Sequence, residues 1–325
     1  MQPSTILSPP EADLRALDRI VASVGTVFRG NRETIRLATT ALLARGHLLF
    51  EDVPGVGKTT LARALAAALG LRFRRIQFTS DLLPSDVLGV SVYDPRTQEF
   101  LTRPGPIFTQ LLLADEINRA PPRTQSGLLE AMQEGRITLD EQSWELPRPF
   151  LVLATQNPLE QHGTYPLPES QLDRFLMRLT LGYPEAVSER EILLGGSSEE
   201  AIDALEPALT PPEFIALQDR VDAVHTDPTV VDYVMEIVRA TREDPRLLGG
   251  VSTRGAMALF RAARAYALVD GRTFLVPDDV RRLVIPCLAH RVLLAGTRGS
   301  GSGFALHDES AAVLESLVGG IPVPI

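Results

Sequence analysis

Apolar positions in this chain follow two patterns. Short unbroken runs, Leu48-Leu49-Phe50, Leu111-Leu112-Leu113-Ala114 and Phe150-Leu151-Val152-Leu153-Ala154-Thr155, have the length and composition of strands buried on both faces. Between them lie stretches with helical spacing, beginning with Leu14, Leu17, Ile20, Val21 and Val24. The pattern predicts helices over about 11–28 and 31–45, a strand from His47 to Glu51, and a helix from Thr59 to Leu69 closed by Gly70. Phe73 to Phe78 reads as a second strand. The run at 111–114 ends in Asp115-Glu116, and Pro122 to Glu134 is a helix closed by Gly135. Ile137 to Leu146 alternates around a turn near Glu141, as a projecting hairpin does; a final strand is expected from Leu179 to Tyr183. Strands alternating with helices imply the α/β class, with a parallel sheet covered on both faces.

After Pro184 the pattern turns helical throughout, with candidates at about 186–195, 211–223, 228–242, 253–269 and 277–294. Gly195-Gly196-Ser197-Ser198 has the composition of a flexible joint, and Gly296 to Gly303 that of a second mobile stretch. The expected division is an αβα core over 1–195 and an all-α domain over 196–325. No internal repeat is visible.

Composition narrows the class. At 325 residues, 44% hydrophobic and 22% charged, the chain has ample material for a core. No apolar run approaches the roughly 18–20 residues of a membrane span, and the polar N-terminus lacks the pattern of a secretory signal, so a cytoplasmic protein without membrane insertion is expected. The single cysteine, Cys287, excludes an internal disulfide, and the five histidines show no metal-ligand spacing. The net charge of −9 counts against nucleic acid as the main partner.

Lys58 is the only lysine, against 32 cationic residues in all, and it stands in Asp52-Val53-Pro54-Gly55-Val56-Gly57-Lys58-Thr59-Thr60. Arginine serves wherever a plain positive charge is needed. The exception falls where a phosphate-binding loop needs a compact ammonium on a flexible stem. The segment fits G-x-x-x-x-G-K-[ST] except that Asp52 replaces the first glycine. Val53 to Thr60 are therefore the candidate nucleotide-binding residues. Gly55 and Gly57 would let backbone N–H groups turn toward phosphate, Lys58 would reach the β- and γ-phosphates, and Thr59 would hold Mg²⁺. Asp115-Glu116 after a buried strand has the form of a metal-holding carboxylate followed by a general base. Asn157, ending the strand at 150–155, belongs at the same sheet edge, where it would touch the γ-phosphate or serve only as an Asn-Pro turn. Arg174 and Arg254 do not stand out from composition alone.

The order of these motifs resembles the MoxR family of AAA+ ATPases, along most of residues 30–295. The resemblance is carried by Glu51 to Thr60, Gly105-Pro106-Ile107-Phe108, LADEINRAPPRTQSGLLEAMQ (Leu113 to Gln133), ATQNPLEQHGTYPLPESQLDRFLM (Ala154 to Met177) and Val251 to Arg254. It implies a P-loop core followed by a helical lid, assembled into a ring, a hexamer in this class. On matching positions it implies Walker A at Lys58 and Thr59, Walker B at Asp115 and Glu116, sensor 1 at Asn157, an arginine finger at Arg174 and sensor 2 at Arg254. Residues 86–104 resemble the family's helix-2 insert, and 137–146 its pre-sensor-1 hairpin.

The resulting expectation is an ATP- and Mg²⁺-dependent remodelling motor or chaperone acting on client proteins, which in this family include von Willebrand factor A-domain proteins. The alternatives are a DNA-acting relative of replicative helicases and a nucleotide-gated scaffold. The hairpin at 137–146 carries Asp140, Glu141 and Glu145 and no basic residue, which counts against DNA. Glu116 counts against a scaffold without turnover.

Overall fold

The computed structural model describes residues 11–139, 142–158, 163–194, 199–295 and 303–324. Helices α1 (Glu11–Val27) and α2 (Arg32–Leu43) lead into strand β1 (Leu48–Glu51), helix α3 (Lys58–Ala68) and strand β2 (Phe73–Gln77). A one-turn helix, α4 (Pro84–Leu88), precedes a hairpin of β3 (Gly89–Asp94) and β4 (Glu99–Pro104). Then come β5 (Leu111–Asp115), α5 (Pro122–Glu134), the hairpin β6 (Arg136–Leu139) and β7 (Gln142–Glu145), β8 (Leu151–Gln156), α6 (Glu169–Leu172) and β9 (Met177–Leu179). The remainder contains α7 (Ala186–Leu193), α8 (Glu199–Asp203), α9 (Pro211–Arg220), α10 (Pro228–Glu243), β10 (Leu247–Gly249), α11 (Thr253–Val269), α12 (Pro277–Leu288), β11 (Leu293–Leu294) and α13 (Gly303–Gly319).

Five parallel strands form one sheet in the order β2-β5-β8-β1-β9. Successive strand residues point to opposite faces, and here each face meets its own apolar cluster. Leu48, Phe50, Leu111, Leu113, Leu151 and Leu153 pack with α1 to α3 and continue into the helices after α8. Leu49, Leu112, Ala114, Val152 and Ala154 pack with Val87, Leu128, Leu129 and Met132 of α4 and α5. Double-sided burial is why the strands read as unbroken apolar runs rather than alternating ones. Each fully buried leucine contributes about 1.5–3 kcal/mol.

Several elements differ from the reading of the pattern. The last strand is Met177–Leu179, not Leu179 to Tyr183, because Leu181 and Gly182 spend their N–H groups on the Asp52 carboxylate instead of a ladder. Residues 89–104, to which the pattern assigned no element, form an antiparallel hairpin, closed where the Gln98 N–H donates to the Asp94 carbonyl. The region after Pro184 is not wholly helical: α12 stops at Leu288, and Leu293–Leu294 pairs antiparallel with Leu247–Gly249. Gly303, expected in a mobile stretch, opens α13. The rest of that stretch, the joint at 195–198 and the turn at Glu141 lie outside the described residues. Among the described residues no helix is long and apolar enough to cross a membrane.

Candidate functional site

The carboxyl edge of the sheet gathers most of the residues singled out above. Strand β1 lies between β8 and β9, so the loop leaving Glu51 emerges at that edge with a strand on either side. Gly55 and Gly57 adopt φ of 86° and 92°, values that favour glycine, and Gly57 caps α3. A Cβ at Gly55 would meet nothing within 4 Å, so the loop is open there. Val56 is buried, Pro54 and Gly55 are exposed, and Lys58, Thr59 and Thr60 form the half-buried first turn of α3. That helix end offers its unpaired N–H groups and positive dipole to an anion. The Lys58 Nζ folds back over the loop and donates to the carbonyls of Asp52 at 2.7 Å and Val53 at 3.2 Å. Burial lowers the Lys58 pKa, and attraction from Asp52, Asp115 and Glu116 opposes the shift. The ammonium thus sits among three carboxylates.

Asp115 and Glu116 follow β5, and Asn157 follows β8, buried beside them. Thr155 links the strands: its hydroxyl donates to Asp115 Oδ1 at 2.6 Å and accepts from the Glu116 N–H at 2.8 Å. Arg75 donates to Asp115 Oδ2 through Nε at 3.0 Å and Nη2 at 2.5 Å. Glu116 holds φ 56° and ψ 49°, a left-handed conformation costing a non-glycine residue about 1–2 kcal/mol. Its Oε2 accepts from Gln77 Nε2 at 2.7 Å and pairs with Arg119 Nε at 2.9 Å. The donor set at this edge, a threonine hydroxyl and a carboxylate beside an open loop, suits a hard cation that keeps several waters. Thr59 and Asp115 are the residues that would hold Mg²⁺, which would neutralise charge on the phosphate oxygens.

Asp52 performs a task that its motif position did not disclose. Its Oδ1 accepts from the Val53 N–H at 2.8 Å, and its Oδ2 accepts from Leu181 and Gly182 N–H at 2.7 and 2.8 Å. The carboxylate therefore fastens the loop to the chain leaving β9. Just before it, the buried pair Glu51–Arg178 joins β1 to β9. Burial pushes the Glu51 carboxyl up, against the attraction of Arg178. Gln77, Arg75, Thr155 and Arg119 were also missed. The polar Arg75 and Gln77, alternating at the end of β2, were the one available signal.

Arg174 and Arg254 are not brought to this edge. Arg174 precedes β9, which runs parallel to β1, so it lies at the amino edge, next to His47 before β1. It follows the short helix α6. Both arginines line a cleft of about 580 Å³ together with Gly46, Met132, Arg261 and Arg291. Arg254 Nη1 lies 3.9 Å from Asp173 Oδ2. One strand length, about 15 Å at 3.3 Å per residue, separates this cleft from the loop.

A five-stranded parallel sheet with a phosphate-type loop, an acidic pair on the neighbouring strand but one, and a following helical domain defines a P-loop ATPase of the AAA class. Residues 47–177 match the family model described as "ATPase family associated with various cellular activities (AAA)", and 239–308 match the AAA lid domain. YeaC of Bacillus subtilis is 51% identical over 278 residues, covering 86% of this chain and 87% of that protein. Chaperone MoxR1 of Mycobacterium tuberculosis is 40% identical over 295 residues, covering 87% and 77%. A crystal structure from Cytophaga hutchinsonii, described provisionally as an ATPase, superposes with a TM-score of 0.85 at 34% identity, covering 97% of this chain and 98% of that one. The chain belongs to the MoxR family of AAA+ ATPases, and it is an ATP-hydrolysing enzyme.

Proposed function

We propose that this ATPase works as a homo-oligomeric ring, a hexamer, that binds ATP and Mg²⁺ between adjacent chains and uses turnover to remodel client proteins. Val53 to Thr60 cradle the phosphates, with Lys58 on the β- and γ-phosphates. Asp115 and Thr59 hold the ion, Glu116 activates the water and Asn157 orients it. Arg174 and Arg254 serve the neighbour's site. The core, residues 1–195, carries the sheet, and the lid, residues 196–325, carries Arg254.

The observation that supports this reading most is the separation of the two edges. A guanidinium at the amino edge does not reach a phosphate at the carboxyl edge of its own sheet, whereas a chain docked edge to edge brings the two together. An arginine completing a neighbour's site contributes roughly 10³–10⁵ in rate. Arg174→Ala is therefore expected to bind ATP like the parent chain and to lose at least 10²-fold, roughly, in kcat. Unaltered turnover in that variant removes Arg174 from the mechanism. Specific activity that does not depend on chain concentration removes the ring.

The chaperone role is supported by the relative that carries that name. The β3–β4 hairpin also supports it, since Val90, Val92, Tyr93, Phe100 and Leu101 are all exposed. A von Willebrand factor A-domain protein is the client class the family resemblance favours. A Glu116→Gln chain, which holds ATP without turnover, should retain that client on an affinity column, and recovery of no specific protein counts against the role. The β6–β7 hairpin as folded begins at Arg136, but Arg136 stands opposite Glu145 and 3.6 Å from Glu134. A hairpin so neutralised gives DNA phosphates little purchase. DNA-stimulated hydrolysis would reverse that ranking. The cytoplasm, which supplies ATP and keeps Cys287 a free thiol, is the compartment this reading gives the ring.

A further inference from the structure

The segment that carries Arg174 is gripped from the lid by a buried arginine. Arg291 follows α12, and its side chain is 3% exposed. Its Nε donates to Asp173 Oδ1 at 2.7 Å, and its Nη2 donates to the carbonyls of Asp173 at 3.0 Å and Phe175 at 2.6 Å. Its Nη1 donates to the Leu176 carbonyl at 3.1 Å and to the Cys287 carbonyl. All three nitrogens are engaged, and four of the five acceptors belong to residues 173–176. The adjoining His290 places Nε2 3.1 Å from the same Phe175 carbonyl. Burial keeps that imidazole neutral, which leaves the charge at this point to Arg291. Arg254 reaches the other oxygen of Asp173. On the core side, the Leu176 N–H donates to the His47 carbonyl at 2.8 Å.

Burying a guanidinium is costly unless it is paired and its donors are filled. Apolar residues tie a lid to a core at lower cost, as Leu283, Val284 and Leu288 of α12 already do. A rigid five-donor fork aimed at the carbonyls of Asp173, Phe175 and Leu176 and at one carboxylate instead fixes the position and direction of a short backbone segment. The side chain carried on that segment is that of Arg174. Displacement of a catalytic group by about 1 Å costs on the order of 10²-fold in rate.

We infer that Arg291 is a positioning residue for the arginine offered to the neighbouring site, so that each chain's lid sets how well it serves the next chain. The inference rests on the assignment of Arg174 as a group acting in trans. It gives the ring a direction: a lid that shifts on its own core carries residues 173–176 with it, and the effect is felt in the adjacent site rather than in its own.

The test uses mixed assemblies. A minor fraction of wild-type chain is combined with an excess of Glu116→Gln chain, whose own Arg174 is intact, and hydrolysis is expressed per wild-type chain. Donors carrying Glu116→Gln with Arg291→Gln should lower kcat at the wild-type sites about 10- to 100-fold, with KM for ATP changed less than about twofold. Donors carrying Arg174→Ala should lower it at least as far. Arg291→Lys, which keeps the charge and loses the fork, should fall between. Sedimentation of labelled donors establishes that each variant co-assembles. If Arg291→Gln does not, Asp173→Asn, at a side chain 24% exposed, takes its place with the same expectation. Full kcat with co-assembled Arg291→Gln or Asp173→Asn donors, while Arg174→Ala donors reduce it, overturns the positioning role. Full kcat with Arg174→Ala donors overturns the trans assignment itself.

Discussion

Replacing Asp52 tests whether the departure from the usual glycine is a structural staple. The carboxylate accepts three backbone N–H groups, two of them from residues that follow β9. A hydrogen bond to a charged group contributes about 1.5–3 kcal/mol. The Leu181 N–H is buried and stays unsatisfied when the carboxylate is gone, whereas exposed Gly182 recovers a water. Asp52→Ala should therefore cost about 2–4 kcal/mol, less than two full bonds. Asp52→Asn keeps one oxygen for Leu181 and should cost about half as much. Asp52→Gly restores the motif yet should be the worst of the three, adding about 0.5–1 kcal/mol of backbone entropy to the same loss. Urea unfolding followed by far-ultraviolet circular dichroism reads these as midpoint shifts at constant slope. Because Lys58 Nζ rests on the Asp52 and Val53 carbonyls, ATP affinity measured by titration should fall in the same order. Asp52→Ala within about 0.5 kcal/mol of the parent, or Asp52→Gly more stable than the parent, refutes the staple.

Three further outcomes are expected. Gln77 and Arg119 hold the Glu116 carboxylate, so Gln77→Leu should free it and raise basal turnover, by up to about tenfold for one bond to a charged group; a change below about twofold means that Gln77 is no restraint. An amine-reactive ATP analogue has one side-chain target, Lys58, whose lowered pKa favours the reactive free amine. Excess ATP should protect it, and labelling that ignores ATP removes Lys58 from the site. His47 accepts the Val152 N–H on Nδ1, so its proton lies on Nε2, facing the Met132 carbonyl, and burial lowers its pKa to about 4. The unfolded chain takes up that proton near pH 6.5 and the folded chain only near 4. The neutral histidine's contribution is therefore complete above pH 6.5 and is lost as pH falls, by about 2 kcal/mol at pH 5. His47→Gln should show a shallower loss of the urea midpoint between pH 7.5 and 5, and an identical slope excludes His47.

Some elements were legible because their signals are local. Helix α5 occupies Pro122–Glu134 as read, since a proline at its first turn and Gly135 after it mark both ends within the chain itself. The strands β1, β5 and β8 were visible within a residue or so because double-sided burial leaves no polar alternation to confuse them. The boundary of β9 was not legible, because what ends it is a carboxylate about 130 residues earlier. The short ladder of β10 and β11 escaped for a similar reason, since Leu293–Leu294 is a strand only by virtue of Leu247–Gly249. The polar strand end of Arg75 and Gln77 gave a weak signal, and its meaning depended on Asp115 and Glu116 lying alongside.

By itself the sequence determined that this chain handles a nucleotide. The loop at 52–60, the acidic pair at 115–116 and the strands before them are contiguous strings whose chemistry follows from residue type and spacing. Tertiary structure decided what these groups touch. It placed Lys58, Asp115, Glu116 and Asn157 at one end of the strands and Arg174 and Arg254 at the other, and it made Asp52 a staple and Arg291 a clamp. The physical reason is that a parallel sheet sorts residues by the strand end they follow, which the chain records locally, as it does for Asn157, whereas nothing local records which partner a hundred residues away a side chain will meet.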